Sequence, residues 1–377
     1  MPDPRIARLA KVIVSHSTSL KPGEHVLIEA FDAPDDIVIA CVEEARRAGA
    51  HPHVAIRSMR VMRALNESSA LEGLSVWADC DLHRMTRMQA YVGIRGAANA
   101  NEMSGVPDEQ MRLVARTYQK PVHFERRVNH TKWVVLRWPT PSMAQLARRS
   151  TRDFEDFYFD VCCVDYAAMA RAVEPLAERM RRTDRVHIKG PGDTDLAFSI
   201  KGIGVVPCTG DRNIPDGECF TAPVRDSVEG TVHYNAPTIY NGVSFSNVRL
   251  TFRKGRIVDA TCDGDSAALN AIFDTDPGAR HVGEFAIGFN PRILHPMQDI
   301  LFDEKIAGSF HFTPGRCYEE TDNGNQSEIH WDLVCIQRPE FGGGTISFDG
   351  EVIRRDGLFT VPDLLGLNPD RLAGASA

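Results

Sequence analysis

The feature that most constrains the fold is a strand, a helix and a second strand within residues 21–56. The first strand is the apolar run "HVLIEA". The helix after it has Pro34 in its first turn, Asp32 as its expected N-cap and Gly49 at its end. The second strand is "HPHVAI". Strands joined by a helical crossover of this kind run parallel. The sequence therefore predicts a parallel sheet at the start of the chain.

Later segments extend this sheet. "AYVGIRG" (90–96) and "KWVVLRWP" (132–139) are strand candidates, and a helical segment follows from Ser142. Apolar residues then recur at spacings of four, three and four, which predicts an amphipathic helix through Met169, Val173, Leu176 and Met180. Pro175 is expected to kink or divide this helix. We place the end of the first domain at residue 180.

The second half of the chain is predicted to be β-rich. From Arg185 onward, short apolar runs alternate with Gly, Pro, Asn and Asp, and Lys254-Gly255 and Asp349-Gly350 indicate hairpin turns. One helix is expected around 266–273. A chain of 377 residues is long for one hydrophobic core. The predicted fold is an α/β N-terminal domain with a parallel sheet over residues 1–180, followed by a β-rich α+β domain over residues 181–377.

Composition excludes several classes of partner. The net charge of −8 argues against a nucleic-acid surface, which needs a basic stripe. The N-terminus lacks the apolar segment of a secretory signal, and no apolar run reaches the ~18 residues of a membrane span. The nine cysteines lack C-x-x-C spacing, so we expect reduced thiols. A cytoplasmic protein without membrane or nucleic-acid partners is expected.

Acidic and histidine residues lie within or beside apolar strands of the second half, at Glu218, Glu284, Glu304, His311, His330 and Asp332. The last two belong to "SEIHWDLV". In a strand, residues two apart point to the same face, so His330 and Asp332 should converge while Ile329 and Trp331 face the other side. Taken alone, this pair fits a buried hydrogen bond as well as a metal site.

The whole set is harder to bury without metal ions. One ionised carboxylate in an apolar strand costs several kcal/mol unless it is compensated, and Arg249 or Arg253 could compensate one. A set of six with few basic neighbours is better neutralised by two divalent cations. Two-metal hydrolytic sites hold their ions about 3.5–4 Å apart, and imidazole with carboxylate ligands suits zinc, cobalt or manganese.

Several motifs resemble one enzyme family. The motifs are "PDGECFTAP", "VGEFAIGFNP", "LFDEKIAGSFHF" and "GRCYEETDNGNQSEIHWDLV", together with the N-terminal "KPGEHVLI" and "EARRAGAHPHVAI". In order and spacing they resemble the M29 metalloaminopeptidases of the aminopeptidase T and aminopeptidase S type. The resemblance implies an α/β domain followed by a β-rich metal-binding catalytic domain. It also implies a homodimer that removes the first residue of peptides with a free N-terminus, using two divalent ions (zinc, cobalt, manganese or magnesium).

The resemblance also assigns roles to residues. It places the metal ligands at Glu218, Glu284, Glu304, His311, His330 and Asp332, and a site tyrosine at Tyr318. The implied reaction is attack by a metal-bound hydroxide on the scissile carbonyl. Glu284 or Glu218 would transfer the proton to the leaving amine, and Tyr318 would donate to the oxyanion. Glu304 could instead act as a general base or pair with Lys305.

Two other functions compete with this hypothesis. His311, His330 and Asp332 alone form the two-histidine, one-carboxylate set of mononuclear Fe(II) ring-cleaving dioxygenases, and dihydroxypyridine dioxygenases resemble this fold distantly. The additional glutamates favour two metals over one iron. The third hypothesis is a non-catalytic dimer whose ions are structural, which a closed coordination shell would support.

Overall fold

The computed structural model describes residues 3–240 and 242–373, and the chain divides into two compact units. The first unit comprises the residues up to Cys163 together with Gly210–Ile214, and the second comprises Val164–Thr209 and the residues from Pro215 onward. This division differs from the expected boundary at residue 180. The reason is the helix predicted around Val173, which packs against residues 362–367 of the second unit.

The first unit is built on the predicted parallel sheet. Its strands are β1 (His25–Phe31), β2 (His51–Arg57), β3 (Ala90–Arg95), β4 (Lys132–Arg137) and β8 (Asn213–Ile214). Their order is β2–β1–β3–β4–β8, and each neighbouring pair is parallel. The helices are α1 (Pro4–Lys11), α2 (Asp35–Arg47), α3 (Met59–Glu67), α4 (Leu71–Met85), α5 (Asp108–Val114), α6 (Pro141–Leu146) and α7 (Thr151–Cys162). Segments Val12–Ser17 and Ala115–Val128 continue α1 and α5 as π-helix.

The ends of α2 show one correct and one wrong prediction. Gly49 does follow the helix in a left-handed conformation (φ 77°). The N-cap prediction was wrong, because Pro34 occupies that position. Asp32 adopts a φ of 46°, and its carboxylate accepts a hydrogen bond from the backbone N–H of Met59. Asp32 therefore holds the start of α3.

The second unit contains two antiparallel sheets. The larger sheet is formed by β5 (Arg185–Lys189), β6 (Asp195–Ser199), β10 (Glu229–Tyr234), β11 (Thr238–Tyr240), β12 (Val243–Arg253), β13 (Arg256–Asp263), β17 (Thr345–Phe348), β18 (Glu351–Arg355) and β19 (Leu358–Phe359). The smaller sheet has the order β16–β15–β14–β9–β7. Its strands are β7 (Val206–Cys208), β9 (Glu218–Thr221), β14 (Val282–Gly288), β15 (Ser309–Pro314) and β16 (Val334–Ile336). The hairpin turns at Lys254-Gly255 and Asp349-Gly350 are confirmed, since all four residues have positive φ.

The helices of the second unit are α8 (Tyr166–Arg182), α9 (Ser266–Phe273), α10 (Ile300–Asp303) and α11 (Pro369–Leu372), with 3-10 turns at Glu319–Thr321, Pro339–Phe341 and Pro362–Leu367. α9 has the predicted bounds. α8 is not divided at Pro175, contrary to one of the two expectations for that residue. Proline removes one backbone hydrogen bond, and burial of the predicted apolar face outweighs that loss.

Aromatic residues join the two sheets of the second unit. Phe198 on the larger sheet lies 5.0 Å, between ring centroids, from both Phe285 and Phe312 on the smaller sheet. All three rings are buried. One face of the smaller sheet therefore forms core, and alternation along its strands leaves the opposite face for other side chains.

Candidate metal centre

Polar residues occupy the face of the smaller sheet that points away from this core. On β14, Phe285 faces the core, so Glu284 points to the other side. His311 lies on β15 beside Ala286, and Glu218 lies on β9 beside Gly288. The alternating pattern of three neighbouring strands thus brings three potential ligands from distant parts of the chain onto one buried surface.

Gly288 makes room for a further segment of chain at this surface. A Cβ atom at position 288 would lie 2.7 Å from the backbone oxygen of Ile306 and 2.9 Å from that of Glu304. No real Cβ makes such contacts, so a side chain here would displace the backbone. The segment that carries Glu304 and Lys305 therefore crosses close to the sheet.

The first group of ligands combines three strands. His311 Nε2 lies 2.8 Å from Glu284 Oε1, and His311 Nδ1 lies 3.6 Å from Glu218 Oε2. His311 is fully buried, and both glutamates are at most 6% exposed. The potential ligand atoms of Glu218, Glu284 and His311 all lie within 4.8 Å of one another.

The second group of potential ligands consists of Glu284 with His330 and Asp332, the pair from "SEIHWDLV". The prediction of a regular strand over these residues was wrong, because β16 begins only at Val334 and His330 forms an isolated bridge to Gly315. The two side chains nevertheless converge, with His330 Nε2 3.2 Å from Asp332 Oδ1. His330 Nε2 is also 3.6 Å from Glu284 Oε2.

Glu284 belongs to both groups, since its ligand atoms also lie within 4.8 Å of those of His330 and Asp332. Three buried atoms that face this surface lack a hydrogen-bond partner among the described residues, namely Glu218 Oε2, Glu284 Oε2 and His311 Nδ1. Buried polar atoms are rarely left without a partner. Oxygen and imidazole nitrogen are suitable donors for zinc, cobalt or manganese, so the residues present fit divalent ions.

Backbone and hydroxyl groups orient the second group. His330 Nδ1 lies 2.8 Å from the carbonyl oxygen of Arg316, and Thr313 donates its hydroxyl to Asp332 Oδ1 at 2.7 Å. Burial alone would raise the pKa of Asp332, but the neighbouring charge and hydrogen bond of His330 outweigh it and hold that pKa well below its ordinary value. Asp332 is therefore an anion at neutral pH.

In the first group, burial and the neighbouring carboxylates act in opposite directions on the pKa of His311. Burial alone would lower the pKa of His311, but the carboxylates of Glu218 and Glu284 raise it to about 9. Burial raises the pKa of Glu284 in turn. Without an added cation, the histidines of this surface therefore carry the protons that compensate its carboxylates.

Glu304 and Lys305 lie at the edge of the first group. Glu304 is not a member of either three-ligand group; its carboxylate bonds to the ammonium of Lys305. That ammonium also donates to Glu218 Oε1 at 2.9 Å. Burial disfavours its charge, but Glu218 and Glu304 raise the pKa of Lys305 well above its ordinary value. The pairing of Glu304 with Lys305, one of the alternatives from the sequence, is present.

Tyr318 lies beside the second group of ligands. Its ring makes an edge contact with His330 at 4.9 Å between centroids and another ring contact with Phe220 at 5.6 Å. The residue is 47% exposed. Desolvation of the phenol, followed by the charges of Glu284 and Asp332, raises the pKa of Tyr318 well above its ordinary value. Its hydroxyl thus stays protonated and can donate.

Sequence reasoning missed the residues that hold these ligands. Thr313 lies two residues after His311 on the same strand, and Asp216 lies two before Glu218. The spacing of two was a usable signal for Thr313. Cys208 and Asp216 gather with Glu218 in a further group whose ligand atoms lie within 4.8 Å. No sequence pattern marked Cys208, because only pairing of β7 with β9 brings it there.

Comparison with known proteins finds one family and several relatives that match most of the chain. The sequence profile of the family described as "Thermophilic metalloprotease (M29)" matches residues 3–359. Aminopeptidase T of Thermus thermophilus is 27% identical, over 87% of this chain and 91% of its own length. Aminopeptidase PepS of Streptococcus thermophilus is 23% identical, over 93% and 95%.

Solved structures show the same fold. Wild-type AmpT from Thermus thermophilus has a TM-score of 0.78 at 22% identity, covering 95% of this chain and 99% of its own. The 2,5-dihydroxypyridine dioxygenase of Pseudomonas putida has a TM-score of 0.59 at 15% identity, covering 96% and 98%. Within residues 3–240 and 242–373, no helix combines the length and apolar character that a bilayer crossing needs.

Proposed function

The chain belongs to the M29 family of thermophilic metalloproteases, and on that premise we propose that it is a dinuclear metal aminopeptidase. Family membership makes it a metallo-aminopeptidase, a hydrolase of peptide bonds. The proposal adds that two divalent ions bind at the site described above and that the substrate is a peptide with a free N-terminus.

One observation carries the proposal: two groups of three potential ligands share Glu284. A carboxylate common to two groups could serve as a ligand of both ions in a two-metal hydrolytic site. Glu218 and His311 would hold one ion, and His330 and Asp332 the other. Glu304 lies outside both groups, and its ligand role remains part of the proposal only through the family resemblance.

When bound, the ions supply an activated water and withdraw charge from the scissile carbonyl. The chain's own groups then divide the proton transfers. Glu284 is one candidate base, because its carboxylate belongs to both ligand groups and burial raises its pKa. Glu218 is the other candidate for this role, since one of its oxygens accepts no hydrogen bond from any residue that the structure describes. The acceptor carboxylate returns the proton to the leaving amine.

Tyr318 is proposed to donate to the oxyanion that develops on the scissile carbonyl. In support, its ring makes an edge contact with His330 of the second group, and the raised pKa keeps its proton at neutral pH. A donor aimed at charge that develops only in the transition state accelerates the reaction without tightening substrate binding.

The dioxygenase alternative shares the fold and the set His311, His330 and Asp332, but it leaves Glu218 and Glu284 without a role. The distance of 3.6 Å between His311 and Glu218 and the membership of Glu284 in both groups support two ions over one iron. The non-catalytic alternative requires a closed site, whereas Tyr318, whose ring contacts His330, is nearly half exposed.

A homodimer in the cytoplasm also remains part of the proposal. β2 is the edge strand of the parallel sheet, and Val54 and Ile56 on it are 43% and 60% exposed. An apolar edge of this kind offers surface to a second copy of the chain. Apart from Cys208, the cysteines that the structure describes form no disulfide, which suits a reducing compartment. Sedimentation of the purified protein measures the assembly directly.

Metal analysis tests the proposed function. Native protein should contain two divalent ions per chain, lose hydrolysis of aminoacyl amides on chelation, and regain it with Zn²⁺, Co²⁺ or Mn²⁺. One iron per chain, with oxygen consumption on a hydroxylated pyridine, would establish the dioxygenase instead. Full metal content without hydrolysis of any peptide or amide would favour structural ions.

A further inference from the structure

The amine of Lys305 has an environment usually reserved for a metal ion. The residue is fully buried, and its Nζ lies 2.9 Å from Glu218 Oε1 and 3.9 Å from Asp216 Oδ1. It also bonds to Glu304. A buried ammonium needs compensating anions, and here three carboxylates surround it.

The same position has the composition of a metal site. Cys208, Asp216 and Glu218 each offer a ligand atom, and these atoms lie within 4.8 Å of one another. A thiolate with two carboxylates would suit a divalent ion such as Zn²⁺ or Co²⁺. Because Lys305 Nζ lies 2.9 Å from Glu218 and 3.9 Å from Asp216, two of these three residues, its ammonium and a metal ion would compete for one space.

Glu218 links this position to the catalytic ligands. Its Oε1 accepts the hydrogen bond from Lys305, while its Oε2 has no hydrogen-bond partner in the described part of the chain and lies 3.6 Å from His311 Nδ1. A carboxylate held at one oxygen presents the other in a fixed direction. Lys305 thereby determines which oxygen of Glu218 can reach an ion in the first group.

We propose that Lys305 is a positioning residue whose ammonium fills a third cation position formed by Cys208, Asp216 and Glu218. It aims the free oxygen of Glu218 at the first group and excludes an additional divalent ion. The inference rests on the proposed two-ion function, because it concerns the residue that limits the site to two ions. Hydrolysis itself still uses the ligands and Tyr318.

The experiment counts Co²⁺ bound to wild type and to Lys305→Met, with Lys201→Met as a matched control at an exposed lysine. Lys305→Met should bind one more Co²⁺ per chain than wild type and gain the near-ultraviolet absorption of a thiolate bound to cobalt. The double variant Lys305→Met/Cys208→Ser should lack that absorption. kcat should fall at least ~10-fold in Lys305→Met, as expected when a group orienting a ligand is lost, and Lys201→Met should match wild type.

Equal Co²⁺ counts in folded Lys305→Met and wild type, without the new absorption, would overturn the inference while leaving the two-ion proposal intact. Wild type that binds no divalent ion would refute the proposed function instead. If Lys305→Met does not fold, Lys305→Gln provides a neutral side chain that can still donate a hydrogen bond. The wild type supplies an independent measurement, in which its cobalt absorption is compared with that of Cys208→Ser. An absorption that depends on Cys208 would mean that Co²⁺ binds at this position in wild type, and it would contradict the proposal that Lys305 fills it.

Discussion

The Nδ1–H of His330 donates a hydrogen bond to the backbone carbonyl of Arg316, with 2.8 Å between nitrogen and oxygen. A carbonyl can only accept, so the neutral imidazole keeps its proton on Nδ1 and presents the Nε2 lone pair. That nitrogen faces Asp332 and Glu284 at 3.2 and 3.6 Å. The backbone thus sets both the orientation and the tautomer of this ligand.

Replacing Glu284 tests its shared position between the two ligand groups. Glu284→Gln keeps the shape of the side chain but removes the charge and the proton acceptor. We expect kcat to fall by at least ~10² with the fold intact, measured by steady-state kinetics and circular dichroism. Glu328→Gln, at an exposed glutamate near the same site, is the control and should retain activity. Normal turnover of Glu284→Gln would remove Glu284 from the mechanism.

The hydroxyl of Tyr318 should matter only in the transition state. Tyr318→Phe is expected to lower kcat by ~10²–10³, with KM and metal content little changed. Tyr240→Phe loses a hydroxyl from a ring that packs on Trp331, and it should behave as wild type. A Tyr318→Phe protein with normal kcat but weaker metal binding would assign Tyr318 to support of the ligands.

The hydroxyl of Thr313 should contribute to metal affinity through Asp332. Thr313→Val keeps the side-chain volume and removes the hydrogen bond to Asp332 Oδ1. Loss of a group that orients a ligand typically weakens metal binding by about 10–100-fold, which competition with a fluorescent chelator can measure. Thr231→Val, on the larger sheet, is the matched control. Unchanged affinity would mean that Asp332 is oriented by other contacts.

A partly buried histidine in the first unit, His123, should make stability depend on pH. Burial lowers the pKa of His123 to about 4. Because the unfolded chain binds the proton near pH 6.5 and the folded chain does not, its contribution is present above that pH and lost as pH falls toward 4, up to about 3 kcal/mol.

Urea unfolding of His123→Phe should therefore show a weaker loss of stability than wild type between pH 6.5 and 4. Phenylalanine keeps a ring beside Tyr91 and Tyr118, which contact His123 edge-on. His130→Phe, at an exposed position, is the control. Identical pH profiles of the unfolding free energy in wild type and His123→Phe would show that His123 does not contribute to the pH dependence of stability.

The parts of the fold that depend on local sequence were predictable. The strand–helix–strand unit of residues 21–56, the Lys254-Gly255 turn and α9 follow from periodicity and turn residues over a few positions. The placement of α8 in the second unit was not predictable, since its partner segment lies almost 200 residues further along the chain. A contact between segments so far apart in the sequence produces no recognisable pattern in the residues of either segment.

The candidate site, too, could be predicted only where local sequence was sufficient. Single residues such as Glu284 could be proposed because a charge inside an apolar strand requires compensation. The irregular backbone around His330 could not be predicted, because its hydrogen bonds to Pro314 and Arg316 follow from tertiary pairing. The role of Lys305 was equally hidden, since a lysine beside a glutamate ordinarily indicates a solvated pair.

The irregular backbone around His330 gives the two ligand groups different dynamics. Glu284 and His311 lie on paired strands whose other faces form the core, so their amides should exchange with deuterium only through global unfolding. Residues 327–333 lie outside regular strands, so we expect them to open locally before the sheet unfolds. Under mild denaturant the protein should pass through a state that has released His330 and Asp332 while Glu284 and His311 stay in place. Loss of activity would then precede loss of secondary structure.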